Sequence, residues 1–161
     1  MEHIASCFEL GTDLDLASNT AQGEEWIAAH LPAPDAERKD YFVERDGVRF
    51  AGTHLIVDLY DAERLDDLAH VEATLRNCVA AAGATLLHIH LHHFTPNGGI
   101  SGVAVLAESH ISIHSWPEHG YAAFDVFMCG AADPHAAVAK LRTAFGPARV
   151  VVGEHRRGGG Q

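Results

Sequence analysis

Two hydrophobic rhythms take turns along most of this chain. His54 to Tyr60 (His-Leu-Ile-Val-Asp-Leu-Tyr) is a β-rich run and predicts a strand. After it, Leu65, Leu68, Val71, Leu75 and Val79 recur at helical spacing. The pattern predicts a helix with Asp61 as its cap and Gly83 as its stop. Thr85 to Phe94 reads as a second strand, broken by Thr95-Pro-Asn-Gly-Gly99, and Val103 to Leu106 as a third. Ile111 and Ile113 alternate with Ser112 and His114, which gives a strand with two unlike faces. Trp116 to Gly120 is a turn, and Tyr121 to Cys129 a long strand. Asp133-Pro134 opens a second helix, as cap and first-turn residue, and Ala137, Leu141 and Ala144 supply its apolar side. Gly146-Pro147 ends it, and Arg149 to Val152 forms a last short strand before a frayed tail from Glu154.

Short links between the central strands favour antiparallel pairing. The expected fold class is α+β, an antiparallel β-sheet with two helices on one face. The opposite face also needs cover, and a second copy of the chain supplies it as a four-layer αββα homodimer. Residues 1–50 differ in character. Glu24 to His30 suits one short helix ended by Leu31-Pro32, and Tyr41 to Phe50 suits a hairpin around Asp46-Gly47. The expected organisation is an N-terminal extension over 1–50, a folded domain over 51–155 and a flexible tail over 156–161.

Composition narrows the classes. At 161 residues, 47% hydrophobic and 20% charged, the chain suits one domain with a real core. A formal net charge of -11 argues against nucleic acid and is compatible with a cationic ligand. Three scattered cysteines, Cys7, Cys78 and Cys129, do not suggest a disulfide framework, so reduced thiols and a cytoplasmic location are expected. Met1-Glu-His-Ile does not read as a signal peptide, and no apolar run approaches a membrane span.

The chemistry is concentrated between Glu108 and Gly130. A serine, a histidine five residues on, a carboxylate four beyond that and a cysteine lie within one otherwise apolar segment. A serine hydroxyl can attack its own preceding carbonyl and convert that amide into an ester. Elimination across Cα–Cβ then releases the upstream chain, and the dehydroalanine left behind tautomerises and hydrolyses to a pyruvoyl group. The step needs a strained or tightly held Glu-Ser bond, an oxyanion stabiliser and a base for the Cα proton. Ser109 is the candidate nucleophile and His114 the candidate base. Residues five apart point to opposite faces of a regular strand, so a bend near Ser109 is required to join them. Cys129 is the candidate proton donor for a later decarboxylation; its competing role is that of a small buried hydrophobe. His88, His90 and His92 share one strand face and suggest a metal-binding module instead. Without a carboxylate or cysteine partner that spacing is a weak signal, and no metal is assigned.

The segment Glu108-Ser-His-Ile-Ser-Ile-His-Ser-Trp-Pro-Glu-His-Gly-Tyr-Ala-Ala-Phe-Asp-Val-Phe-Met-Cys-Gly130 strongly resembles the self-cleavage and active-site segment of the short, prokaryotic S-adenosylmethionine decarboxylase proenzymes. The resemblance extends over residues about 54 to 155. It implies cleavage after Glu108, a pyruvoyl cofactor made from Ser109, and Schiff-base chemistry on an amine substrate. It further implies His114 and Ser101 in processing, Cys129 as proton donor, Glu118 on the ribose hydroxyls and Phe94 stacked on adenine. The implied product is the aminopropyl donor for spermidine synthesis, and the implied assembly is a homodimer of cleaved protomers. This chain departs from the family at two places. Its loop Phe94-Thr-Pro-Asn-Gly-Gly-Ile-Ser-Gly102 is one residue longer than the family's Phe-x-Pro-x-Gly-Val-Ser-Gly, and about fifty residues precede the point where short members start. Arginine or ornithine decarboxylation on the same fold is the alternative activity. A non-catalytic regulatory module is a further one.

Overall fold

The computed structural model describes residues 41–159, so the expected helix over 24–30 lies outside the described residues. A hairpin of β1 (Val43–Arg45) and β2 (Val48–Phe50) comes first. Asp46 and Gly47 both take positive φ, 56° and 73°, as a two-residue type I′ turn demands. There follow β3 (Gly52–Tyr60), α1 (Leu68–Ala81), β4 (Leu86–His93), β5 (Ile100–Leu106), β6 (Ser109–Trp116), β7 (Tyr121–Met128), α2 (Pro134–Phe145) and β8 (Arg149–Arg157). The six long strands form one sheet in the order β4-β5-β6-β7-β3-β8, antiparallel at every pairing.

Both helices pack on one face. Val71, Leu75 and Cys78 of α1 and Ala137, Leu141 and Phe145 of α2 share a core with alternate residues of the strands: Leu55, Val57 and Leu59, Ile111 and Ile113, Phe124 and Val126. The expected α+β architecture is the one observed. Cys78 belongs wholly to this core, where burial pushes its thiol up to about 12.

Helix α1 starts later than the periodicity predicts. Asp61 and Arg64 take φ of 52° and 58°, left-handed values that no helix continues through. Asp67 is the cap instead, accepting the His70 backbone N–H at 2.9 Å, and Arg64 pairs with its carboxylate at 2.7 Å. Leu65 is buried from the preceding loop. The stop at Gly83 is as expected, with φ 70°. Helix α2 also follows expectation, with Asp133 accepting the His135 N–H and Gly146 at φ 53° closing the end.

Strand β8 runs to Arg157, so Glu154 to Arg157 are paired strand rather than frayed tail. Its sequence hides this because an edge strand is hydrogen-bonded on one side only and tolerates charge on its exposed side chains. Among the described residues the sheet face opposite the helices carries no cover. It presents Ile56 and Trp116, 43% and 40% exposed, beside His54, His110, His114, Asp58 and Asp125.

Candidate active site

The tight hairpin between β5 and β6 builds the first group. Leu106 pairs with Ser109, which leaves Ala107 and Glu108 as a two-residue turn. Glu108 sits at φ 69°, the value a glycine takes at the second central position of a type II turn. For a residue with a Cβ that conformation costs about 1–2 kcal/mol. The strain therefore falls on the residue whose carbonyl precedes Ser109.

Ser109 is 7% exposed, and its Oγ accepts the backbone N–H of Cys129 at 3.1 Å. The next residue, Gly130, donates its N–H to the Tyr41 carbonyl at 2.9 Å, which fixes the chain just beyond β7. Burial raises the Cys129 thiol above its ordinary value; the Ser109 hydroxyl lowers it and the Glu108 carboxylate adds to the rise. The thiol is thus held protonated at neutral pH, the form a proton donor needs.

A second group lies at the other end of β6. Ser101 and His114 are register partners on β5 and β6, with Ser101 Oγ 2.8 Å from His114 Nδ1. They line a cavity of about 240 Å³ together with Phe94, Asn97, Gly99, Ser115, Trp116 and Glu118. Ser115 anchors the floor: its Oγ accepts the Ile100 N–H at 2.8 Å and donates to the Leu65 carbonyl at 2.9 Å. A Cβ on Gly99 would lie 2.8 Å from the Ser115 carbonyl oxygen, so that wall admits only glycine without a shift. Glu118 reaches the cavity from the single 3₁₀ turn Pro117–His119, which Gly120 closes at φ 55°.

The structure thus gathers Glu108, Ser109 and Cys129 at one place and Phe94, Ser101, His114 and Glu118 at another. Burial alternates without a break from Ser109 to Trp116. The bend near Ser109 that would bring His114 to it is absent, because β6 keeps an unbroken register with β5 from Ser109 to His114. Ser109 faces the helices and His114 the uncovered side, five residues on, or about 17 Å along a strand. Four lining residues, Asn97, Gly99, Ser115 and Trp116, went unassigned in the sequence. Ser115 and Trp116 lay inside the matched segment, and Asn97 and Gly99 in the lengthened loop.

Between the two groups the uncovered face holds a polar cluster. Ser112 donates to Asp125 at 3.0 Å, and His54 Nε2 lies 3.4 Å from the same carboxylate. The Arg157 guanidinium can only donate, so His54 Nδ1, 3.1 Å away, accepts and the ring proton sits on Nε2. That buried Nε2 lies close to the Asp125 carboxylate but makes no well-aligned hydrogen bond. Burial, helped by His54 and opposed by Asp125, depresses His110. Tyr121 donates to Asp58 at 2.6 Å, and that bond raises its phenol to about 12. His88, His90 and His92 lie exposed on edge strand β4, and no group of three or more His, Cys, Asp or Glu is poised around a metal among the described residues.

Comparison with known proteins decides the family. The family model described as S-adenosylmethionine decarboxylase matches residues 53–158. The chain belongs to the S-adenosylmethionine decarboxylase family. It is 47% identical over 108 residues to the S-adenosylmethionine decarboxylase proenzyme of Thermomicrobium roseum, a match covering 66% of this chain and 93% of that protein. The proenzyme of Methanococcus vannielii is 49% identical over 110 residues, covering 66% of this chain and 89% of its own length. The crystal structure of the adenosylmethionine decarboxylase from Aquifex aeolicus aligns with a TM-score of 0.60 at 36% identity, over 68% of this chain and 92% of that one. All the candidate residues named above, Phe94 to Cys129, fall inside the matched span of this S-adenosylmethionine decarboxylase family member. Among the described residues no helix is long and apolar enough to cross a membrane.

Proposed function

We propose that this chain is a self-processing S-adenosylmethionine decarboxylase whose pyruvoyl group arises from Ser109. The observation that carries the reading is the hairpin at Glu108-Ser109, strained at the residue before the serine and abutting Cys129 within a family-matched segment. Ser109 Oγ attacks the Glu108 carbonyl carbon, the C–N bond breaks, and an ester replaces the amide. Removal of the Ser109 Cα proton expels the Glu108 carboxylate, and hydrolysis of the resulting imine releases ammonia. Left-handed Glu108 stores strain that this shift relieves. Glu108→Gly removes that strain and should slow cleavage about five- to thirtyfold, since 1–2 kcal/mol corresponds to that range. Unchanged cleavage kinetics by intact mass would show that the turn conformation plays no part.

Once formed, the pyruvoyl group withdraws electrons from the substrate carbon that loses CO2. The chain's own residues position and protonate. Glu118 offers carboxylate oxygens to paired ribose hydroxyls, and Phe94 offers an exposed ring to the base. The Cys129 thiol holds the proton that the decarboxylated carbon takes up. Cys129→Ala should therefore cleave normally and lose about 10²–10⁴ in kcat. Because the thiol is raised, wild-type activity should persist above the pH at which an ordinary thiol ionises. A fully cleaved Cys129→Ala with wild-type turnover would return this residue to the core.

The separation of the two groups supports a homodimer. A proton cannot pass from Ser109 to His114 along about 17 Å of one strand. Two copies laid sheet to sheet about a two-fold axis near the middle of β6 bring the partner's His114 to the end where Ser109 lies. Ser109 and Cys129 then come from one protomer, and Ser101, His114, Glu118 and Phe94 from the other. The activity test is CO2 release from S-adenosylmethionine, arginine and ornithine under identical conditions. A higher kcat/KM for either amino acid would keep the chemistry and replace the substrate.

A further inference from the structure

The cavity's lining divides by chemistry. Phe94 and Trp116 are its exposed aromatic walls, 49% and 40% accessible. Ser101 and His114 are committed to each other at 2.8 Å. Ionised Glu118 can only accept hydrogen bonds, which suits hydroxyls. Asn97 is the one carboxamide in the lining, a side chain with a donor and an acceptor side by side. The adenine edge presents the complementary pair, the N6 amine beside N7, which accepts.

We propose that Asn97 reads the adenine edge with its carboxamide and so sets the nucleoside specificity of this chain. The proposal rests on the S-adenosylmethionine reading given above and deepens it. The loop that carries Asn97 is built rather than loose. Phe94 N–H donates to the Gly99 carbonyl at 2.8 Å, and Gly98 N–H donates back to the Phe94 carbonyl at 2.9 Å. Gly98 takes φ 74°, and a Cβ there would lie 3.2 Å from Asp66 Cβ, so the loop is seated against the stretch before α1. This is the loop that is one residue longer than the family pattern. The added length does not take Phe94 out of the cavity, and Asn97 shares the lining with it. One loop thus supplies both the ring that stacks on a base and the amide that identifies it.

The test compares S-adenosylmethionine with its hypoxanthine counterpart, in which oxygen replaces the N6 amine and the N6/N7 edge becomes two acceptors. Wild-type enzyme should favour the adenine substrate by about tenfold or more in kcat/KM, the discrimination typical of one bidentate amide–base pair. Asn97→Ala should lose about tenfold on the adenine substrate through KM, and its preference should shrink to about twofold. Asn97→Asp keeps an acceptor for the amine and loses the donor, so it should fall between them. Both variants should yield the fragments 1–108 and 109–161 as wild type does, which separates recognition from folding. An active wild type whose Asn97→Ala and Asn97→Asp forms keep the full preference for adenine overturns the role of Asn97 alone. A cleaved wild type that releases no CO2 from S-adenosylmethionine overturns the substrate reading beneath it.

Discussion

Ser109→Ala should remain one chain, while wild-type protein resolves by intact mass into residues 1–108 and 109–161. The new N-terminus of the second fragment should resist Edman degradation, because it ends in a carbonyl and not an amine. Decarboxylation should fall to background in the variant, since both the attacking hydroxyl and the group made from it are gone. The substitution is mild for the fold. It removes an acceptor for the Cys129 N–H, worth about 1 kcal/mol, and a hydroxyl that also bears on the Cys129 thiol. A cooperative melt near the wild-type temperature would confirm that an uncut product is folded. Cleavage of Ser109→Ala after Glu108, or full activity in uncut wild-type protein, would end the pyruvoyl reading.

Mixing two inactive variants should restore cleavage. His114→Ala should stall at the ester, where the Ser109 Cα proton lacks its base, and hydroxylamine should cut that ester. Ser109→Ala has no nucleophile. In a heterodimer of the two, the His114→Ala protomer keeps Ser109 and meets the partner's His114. With equal amounts and random exchange, about half of the His114→Ala chains should be cut and none of the Ser109→Ala chains. Tags of different mass identify which chain was cleaved and show that mixed dimers formed. Mixed dimers that stay wholly uncut would refute a shared site. Normal cleavage of His114→Ala by itself would remove His114 from processing.

Much of this protein was legible as local pattern. Alternation at Ile111 and Ile113 marked the two faces of β6 because strand side chains have a period of two. Asp46-Gly47, Gly83 and Asp133-Pro134 marked a turn and two helix ends because each fills a backbone requirement that few residues meet. The start of α1 was less legible. Leu65 has the right spacing for a helix but is buried from a loop, and tertiary burial looks the same as helical burial in one dimension. The end of β8 was missed for the converse reason: ladder hydrogen bonds to β3 hold a polar segment straight. The chemistry of the site was written in residue types, with serine, histidine, carboxylate and cysteine close together in sequence. Their arrangement was not. Five residues of a straight strand carry His114 to the opposite face and far end from Ser109, while Cys129, 20 positions along the chain, returns to its side. Only pairing across the sheet decides such distances, because it sets which residues of different strands stand opposite one another.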